Sequence, residues 1–309
     1  MVQAEEKKVP VPIDELGVIG GVHIAVKRDD LLLPEVSGNK WYKLVYHVEA
    51  AQKKHAKGIA TFGGAYSNHL LATAAYCHAL GLKSIGIVRG EEVVPLNPTL
   101  SRCLELGMHL VYVSRSDYRK KEDQDYLETL RQAYPSYHFV PEGGGGWDGI
   151  RGAQLLLDKR CQAYDLIVSA VGTGTTIAGM ALASKPHQKL WGIPVHKHSK
   201  VVDELASTIP QLQLPNRLEA ERFTSYHFGG YAKWTDELID FIRTINGTYG
   251  LPLDPIYTGK AFYALLDQIE QGLVPAGRKV LFIHTGGLQG NAGFEQRFGV
   301  KLSNPDPKT

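Results

Sequence analysis

Cysteine is scarce in this chain and badly spaced for structural work. The three present, Cys77, Cys103 and Cys161, are an odd number, far apart, with no CxxC or Cys/His spacing. That excludes a disulfide framework and a zinc site, and no metal is expected. An excess of one charge is also lacking. Thirty-four basic residues against 32 acidic ones leave a formal net charge of +2, too balanced for a protein that grips nucleic acid by its phosphates. The one dense charged run, Arg119–Asp125, is mixed in sign and reads as a solvated helix face. No apolar run nears the ~20 residues of a membrane span. The first residues, MVQAEEKKVPVPIDE, carry acids and two prolines where a signal peptide has an apolar stretch. The expectation is a cytoplasmic protein that binds neither membrane nor nucleic acid. Internal repeats and low-complexity linkers are missing too.

What is present is ordinary globular material. The 309 residues are 43% hydrophobic and 21% charged, enough for one large α/β domain or two modest ones. Short apolar runs alternate with amphipathic stretches, the pattern of parallel strands joined by crossover helices. Strands are predicted at Gly58–Phe62, Ser84–Val88, His109–Val113, His138–Val140, Leu166–Ala170, Leu190–Val195 and Lys279–Ile283. Helices are predicted at Ser67–Leu80, Tyr118–Ala133, Thr176–Ser184, Trp234–Asn246 and Gly259–Gln271. LIVSAV and VLFIH are almost wholly apolar, as strands covered on both faces must be. Gly143–Gly146 interrupts the pattern and reads as a hinge or a loop. The expected partition is a large domain of residues 1–41 plus 141–309 and a small domain of 42–140, with a ligand cleft between the lobes at the carboxyl ends of the strands.

Three loops share one layout: strand, then a cluster of Gly, Ser, Thr and Asn, then helix. In ATFGGAYSNHLLATAAYC the glycines allow a sharp turn, and Ser67 or Asn68 can cap the helix that follows. LIVSAVGTGTTIAGM offers Gly172, Thr173, Gly174, Thr175 and Thr176 ahead of a small-residue helix. Backbone N–H groups and hydroxyls at a helix start make a phosphate cradle. No Lys-Ser/Thr follows the glycines, and the GxGxxG spacing fails at Ile177, so one phosphate is indicated rather than a triphosphate or pyrophosphate. VLFIHTGGLQGNA places Thr285 at the end of a buried strand, where it faces a ring or caps the turn. Lastly, SGNKWYKL puts Lys40 in a Gly/Asn turn beside aromatics. Such a lysine is ordinarily a surface residue; it gains meaning beside a phosphate cradle and small polar groups, the needs of a pyridoxal-5′-phosphate (PLP) enzyme.

In that combination and order the chain resembles the fold-type II PLP enzymes, tryptophan synthase β-like, and within them the D-cysteine desulfhydrase and 1-aminocyclopropane-1-carboxylate (ACC) deaminase family. The resemblance implies an α/β fold of two three-layer αβα lobes with mostly parallel sheets, PLP in the cleft between them, and a homodimer. SGNKWYKL is similar to the family's Gly-Asn-Lys…Lys-Leu stretch, which makes Lys40 the Schiff-base lysine and not Lys43. FGGAYSNHLLATAA resembles the loop whose Ser-Asn pair grips the substrate carboxylate and the cofactor hydroxyl, here Ser67 and Asn68, with His69 beside them at the substrate. VGTGTTIAGM resembles the phosphate loop, Gly172–Thr176. FGGYAKW and LDPIYTGKAF resemble the segments that bring two tyrosines to the site, Tyr231 and Tyr257. The implied catalytic set is Lys40, Ser67, Tyr231 and Tyr257.

Where ACC deaminases typically carry Glu and Leu, this chain has Thr258 and Thr285, which resemble the desulfhydrase side and join the cofactor-binding set. A hydroxyl near the pyridine nitrogen stabilises a protonated ring less than a carboxylate does. Expelling sulfide demands a weaker electron sink than opening the ring of ACC. The implied activity is therefore conversion of D-cysteine to pyruvate, ammonia and hydrogen sulfide, with ACC deaminase (ACC to 2-oxobutanoate and ammonia) as the alternative. Two readings from other classes stand beside it: a nucleotide-binding oxidoreductase and a non-catalytic PLP-binding protein. The chain departs from the family at Leu70 and Leu71, where desulfhydrases have a branched residue followed by Arg, in a short Gly192–Asn216 region, and in the run Pro141–Gly152.

Overall fold

The computed structural model describes residues 10–33, 35–36, 38–197 and 200–303. The first nine residues of the amino-terminal stretch, Ser37 of SGNKWYKL, and residues 198–199 of the Gly192–Asn216 region lie outside them. Among the described residues ten strands run in chain order: β1 Ile13–Ile19, β2 Val22–Lys27, β3 Gly58–Gly63, β4 Lys83–Arg89, β5 Met108–Val113, β6 Tyr137–Val140, β7 Leu166–Val171, β8 Lys189–Pro194, β9 Leu218–Glu219 and β10 Lys279–Ile283. The α-helices are α1 Asn39–Lys53, α2 Asn68–Ala79, α3 Pro98–Glu105, α4 Arg115–Arg119, α5 Gln124–Ala133 and α6 Gly146–Ala153. They continue with α7 Thr175–Ala183, α8 Val201–Thr208, α9 Asp236–Tyr249, α10 Thr258–Glu270 and α11 Gln289–Phe298. Among the described residues no helix is long and apolar enough to cross a membrane.

The chain divides into two compact units. The first comprises 1–33, 37–39 and 153–309; the second comprises 34–36 and 40–152.

The second unit is built on a four-stranded, wholly parallel sheet in the order β5-β4-β3-β6. Every residue of β3, GIATFG, is buried, because helices cover both faces. On one face Ala60, Phe62, Ile85 and Ile87 pack against Tyr118 and Leu130 of the α4–α5 segment. On the other, Gly86 leaves the space that Leu70 of α2, Met108 and Leu110 fill.

The first unit holds a six-stranded sheet, β1-β2-β10-β7-β8-β9, parallel except for the antiparallel β1–β2 pair. Strand β7, LIVSAV, is buried end to end. The core under one face joins Val168, Ala170 and Phe282 to Leu238, Ile242, Phe262 and Leu265 of α9 and α10. Helix α7 covers the other face, where Gly192 leaves room for Val171 and Ile177.

Two expectations need correction, and the open reading at 143–146 takes a definite shape. The predicted helix Tyr118–Ala133 is two helices. Asp123 accepts hydrogen bonds from the N–H groups of Asp125 and Tyr126, both 3.0 Å, and so starts α5 afresh. The charged run Arg119–Asp125 is therefore largely the connection between two helices rather than one helix face. The glycines at 143–146 form a tight turn: Gly143, Gly144 and Gly146 all have positive φ and lead straight into α6. Finally, Lys40 sits in the first turn of α1 rather than in a loop. The β1–β2 hairpin, which turns on Gly20 and Gly21 with φ of 57° and 80°, was missed, although Gly-Gly between alternating runs is a hairpin signal.

Candidate active site

In the second unit the crossovers β3→β4→β5 run one way, and the next brings β6 back to the other side of β3. Loops after two strands related in this way part from each other and leave a crevice. The loop after β3 carries Ser67, and Asn68 and His69 open α2; the segment after β6 carries Glu142–Gly145 and enters α6 at Gly146. Ser67 takes the helix-cap role, its Oγ accepting from the Leu70 N–H at 3.3 Å. Asn68 is half-buried, and its Oδ1 has no hydrogen-bond partner. His69 is buried, so its side chain faces inward: Nε2 lies 2.8 Å from Thr61 Oγ1. The single Thr61 hydroxyl hydrogen goes to the Val140 carbonyl at 2.8 Å, so His69 must donate from Nε2 and keep Nδ1 bare.

Lys40, Lys43 and His47 share one face of α1 at i, i+3 and i+7. His47 donates Nε2–H to the Gly145 carbonyl at 2.9 Å, joining that face to the glycine turn. A Cβ on Gly144 would stand 3.1 Å from Lys43 Cβ and 3.3 Å from its Cε, so the run Pro141–Gly152 is glycine-rich where a buried lysine has to fit. Burial depresses the basic groups here, and like charge adds to it at Lys43, His69 and His138. Burial, only partly offset by Lys43 and Glu142, pushes the Lys40 amine down to about 8. Burial and the neighbouring Lys40 hold Lys43 well below the usual lysine range. Burial, then Lys40, Lys43 and His47, do the same to His69. Burial and His47 push His138 down to about 4.

The first unit has its own crevice by the same rule: β7→β8→β9 run outward and β10 returns beside β7. The loop after β7 is Gly172–Gly174, and α7 starts at Thr175. Gly174 takes φ of +75° and supplies no side-chain cap, so the first N–H groups of α7 face outward for an anion. Thr173 and Thr175 put their hydroxyls 3.2 Å apart at this lip. Asn39 ties the two loops of the crevice together: its Nδ2 donates to Thr176 Oγ1 at 2.9 Å and its backbone N–H to the Thr285 carbonyl at 3.1 Å. Gly38 makes that approach possible. Its φ is +65°, and a Cβ would fall 1.9 Å from the Thr285 oxygen.

Tyr257 stands over the phosphate-type loop, its Cε1 3.2 Å from where a Gly172 Cβ would be. Its hydroxyl donates to that of Tyr231 at 3.0 Å. Tyr231 is 52% exposed. Thr258 is placed differently from a ligand-facing hydroxyl. It is wholly buried, donates to Asp254 Oδ2 at 2.6 Å and accepts from the Asp254 N–H at 2.9 Å. Asp254 Oδ1 takes the N–H groups of Ile256 and Tyr257 at 2.9 and 2.7 Å, so this carboxylate sets the turn that presents Tyr257. Thr285 is buried at the end of β10. Its neighbour His284 donates Nε2–H to the Pro252 carbonyl at 2.7 Å.

Sequence reasoning missed Asn39, His47, Thr61, Asp254 and His284. Asp254 stood inside a segment already singled out, and the 40–43–47 spacing was the helical signal for His47. Asn39, Thr61 and His284 work through partners distant in sequence, which no local pattern records.

The family model described as pyridoxal-phosphate dependent enzyme matches residues 3–286. A protein of Pyrococcus abyssi provisionally named a 1-aminocyclopropane-1-carboxylate deaminase is 34% identical over 285 residues, covering 87% of this chain and 86% of its own. The mitochondrial bifunctional D-cysteine desulfhydrase/1-aminocyclopropane-1-carboxylate deaminase of Arabidopsis thaliana is 31% identical, covering 91% and 77%. A crystal structure of an ACC deaminase homologue superposes with a TM-score of 0.78 at 30% identity, covering 94% of this chain and 93% of that one. The residues fit the cofactor: an uncapped helix start behind a glycine–threonine loop for its phosphate, and a lysine whose amine burial brings down to about 8. With two largely parallel sheets and this match across most of its length, the chain is a fold-type II enzyme and belongs to the pyridoxal-phosphate dependent enzyme family.

Proposed function

We propose that this enzyme is a lyase of small amino acids that converts D-cysteine and water to pyruvate, ammonia and hydrogen sulfide, working in the cytoplasm as a homodimer. The observation that carries the reading is Lys40: an amine in the first turn of α1, pushed down to about 8 by burial. An ordinary lysine is ~0.1% neutral at pH 7.5, whereas one at 8 is about a quarter neutral. That difference is what an amine needs to bond a carbonyl cofactor and later to take a proton.

Gly172–Thr176 hold the phosphate, through the N–H groups at the start of α7 and the hydroxyls of Thr173 and Thr175. Thr285 faces the ring nitrogen, since the Thr258 hydroxyl is occupied by Asp254; Thr258 serves by fixing the turn. Ser67, Asn68 and the His69 N–H receive the substrate carboxylate at the start of α2, and Asn68 Oδ1 gains the donor it lacks. Pyridoxal phosphate, when bound, supplies the electron sink for the pair left behind by the α-proton. Lys40 removes that proton, with Ser67 as the other base in reach of the carboxylate end. The linked hydroxyls of Tyr257 and Tyr231 pass a proton to the departing sulfur.

The names of the relatives support ACC deamination equally, so both substrates decide the matter. The oxidoreductase reading falls with the family match. The test is an absorbance spectrum with and without added cofactor, borohydride reduction with peptide mapping, then sulfide release from D-cysteine and 2-oxobutanoate release from ACC. Cofactor fixed on Lys40 and sulfide from D-cysteine are expected. Product from ACC alone would transfer the assignment to the deaminase. Cofactor binding with no turnover of any amino acid would make the chain a non-catalytic binder, and wild-type turnover by Lys40→Ala would remove Lys40 from the chemistry.

A further inference from the structure

Lys260, in the first turn of α10, is wholly buried and makes no ion pair among the described residues. Its amine donates to three backbone carbonyls: His227 and Gly230 at 2.9 Å and Val195 at 3.3 Å. Three hydrogens meet three acceptors, which is the count of an ammonium and one more than a neutral amine has. Carbonyl oxygens ringed around a charge, with no carboxylate in contact, are how backbone replaces the water shell of a monovalent cation.

The three carbonyls belong to segments that bear on the crevice of the first unit. Val195 follows β8, and the next residue, His196, donates Nε2–H to the Gly172 carbonyl at 2.9 Å. His227 and Gly230 bracket the turn that delivers Tyr231. That turn is strained: Phe228 and Ala232 take φ of 49° and 55°, and Gly229 and Gly230 take 90° and 121°. Left-handed backbone costs a residue with a Cβ about 1 kcal/mol or more, so something outside the turn must hold it.

We propose that the Lys260 ammonium is a tethered cation, a positioning residue that holds the strained 227–231 turn and its Tyr231 against the end of β8. Removing it leaves a carbonyl cage that a free alkylammonium ion can fill. The importance of Tyr231 for turnover rests on the function proposed above; the cage does not. The groups around the amine work in both directions. Burial pushes it down to about 8 while Asp254 opposes that fall, and the His227 side chain nearby feels Lys197, Lys260 itself and His196. Rising pH therefore removes the third hydrogen and loosens the cage.

The experiment is hydrogen exchange of the backbone amides 228–233 in the full-length wild type, Lys260→Ala and Lys260→Met, with cofactor absorbance and turnover recorded on the same samples. Each protein is measured in sodium chloride and in n-propylammonium chloride, the ion that carries the atoms Lys260→Ala removes. Protection should fall about tenfold or more in both variants. Propylammonium should restore it in Lys260→Ala but not in Lys260→Met, whose side chain fills the space. Unchanged protection, or equal recovery with sodium, overturns the proposal. Should the variants fail to fold, the wild type decides alone. Protection of these amides, corrected for intrinsic rate, should drop as pH passes about 8, and a flat profile overturns the proposal. A wild type that binds no cofactor would refute the functional reading and leave the exchange result standing.

Discussion

Gly38 gives the sharpest test of how the crevice of the first unit is held together, because its demand for glycine has two separable parts. One is conformational: at φ of +65° any side chain costs about 1–2 kcal/mol, partly offset by a stiffer unfolded chain. The other is a close approach: the Thr285 carbonyl lies where a Cβ would be, 1.9 Å away, so one backbone segment must retreat by more than an ångström. That retreat breaks the 3.1 Å bond from the Asn39 N–H to Thr285, a further ~1 kcal/mol or more for a buried pair left unmade. Gly81 isolates the first part: its φ is +67° and nothing stands within 4 Å of its would-be Cβ. Gly81→Ala should lower the melting temperature of the cofactor-free protein by roughly 2–4 °C, and Gly38→Ala by roughly 6–12 °C. Gly38→Ala should also weaken cofactor binding, since Asn39 bonds Thr176 of the proposed phosphate loop; Gly81→Ala should not. Thermal melts and cofactor titrations of both variants check this. Equal melting points for the two would refute the close approach, and normal cofactor affinity in Gly38→Ala would refute its link to the loop.

Thr61→Val strands both His69 Nε2–H and the Val140 carbonyl in a buried site, so it should cost about 2–4 kcal/mol, while Thr61→Ser should stay near wild type in urea titrations. Amine-directed labelling of cofactor-free protein, mapped to Lys40, should reach half its limiting rate near pH 8, where burial has pushed that amine. Half-maximal labelling near pH 10 would remove the basis for its reactivity. The same shift has a sign for stability: Lys40 binds fewer protons folded than unfolded between about 8 and its unfolded value, so its contribution to stability rises with pH across that window. Cys77, Cys103 and Cys161 are buried with thiols pushed up to about 12. A thiol reagent should find none of them in native protein at pH 8 and all three after denaturation.

Strands β3, β7 and β10 were legible because sheets covered on both faces select unbroken apolar runs, and GIATFG, LIVSAV and VLFI admit no other comfortable fate. The α2 and α7 starts were legible for a related reason: a buried strand that runs into Gly, Ser and Thr has to turn there. The α1 helix was not, although Trp41, Leu44, Val45, Val48 and Ala51 repeat at helical spacing on its buried side. The buried Lys43 and His47 and the half-buried Lys40 interrupt that stripe and make it look like a surface segment. The break before α5 was hidden because Asp123 is an unremarkable acid in a charged run until its side chain turns back on its own backbone. Thr258 and Asp254 show the limit from the other side. The motif that contains them was plain in the sequence, but the direction of one hydroxyl decides whether a threonine meets a ligand or a carboxylate, and no spacing encodes that direction.

Both sheets are wound alike: β5-β4-β3-β6 in one unit, β9-β8-β7-β10 in the other. In each, three strands proceed outward and the fourth returns beside the first, so in each the reversal parts two loops at the carboxyl ends of the strands. What differs is how those loops are furnished. The second unit lines its crevice with basic side chains, and burial brings the Lys40 amine down to about 8 and holds the Lys43 amine and the His69 imidazole well below their usual ranges. The first unit lines its own with glycine, threonine and an open helix start, and anchors the surrounding turns with groups that never reach the crevice: Asn39 between Thr176 and Thr285, Asp254 beneath Tyr257, Lys260 beneath Tyr231. Neutral amines can bond carbonyl carbon and carry protons; bare N–H groups can bind a phosphate but can do neither. One winding thus yields two kinds of crevice, and an enzyme of this family requires both chemistries.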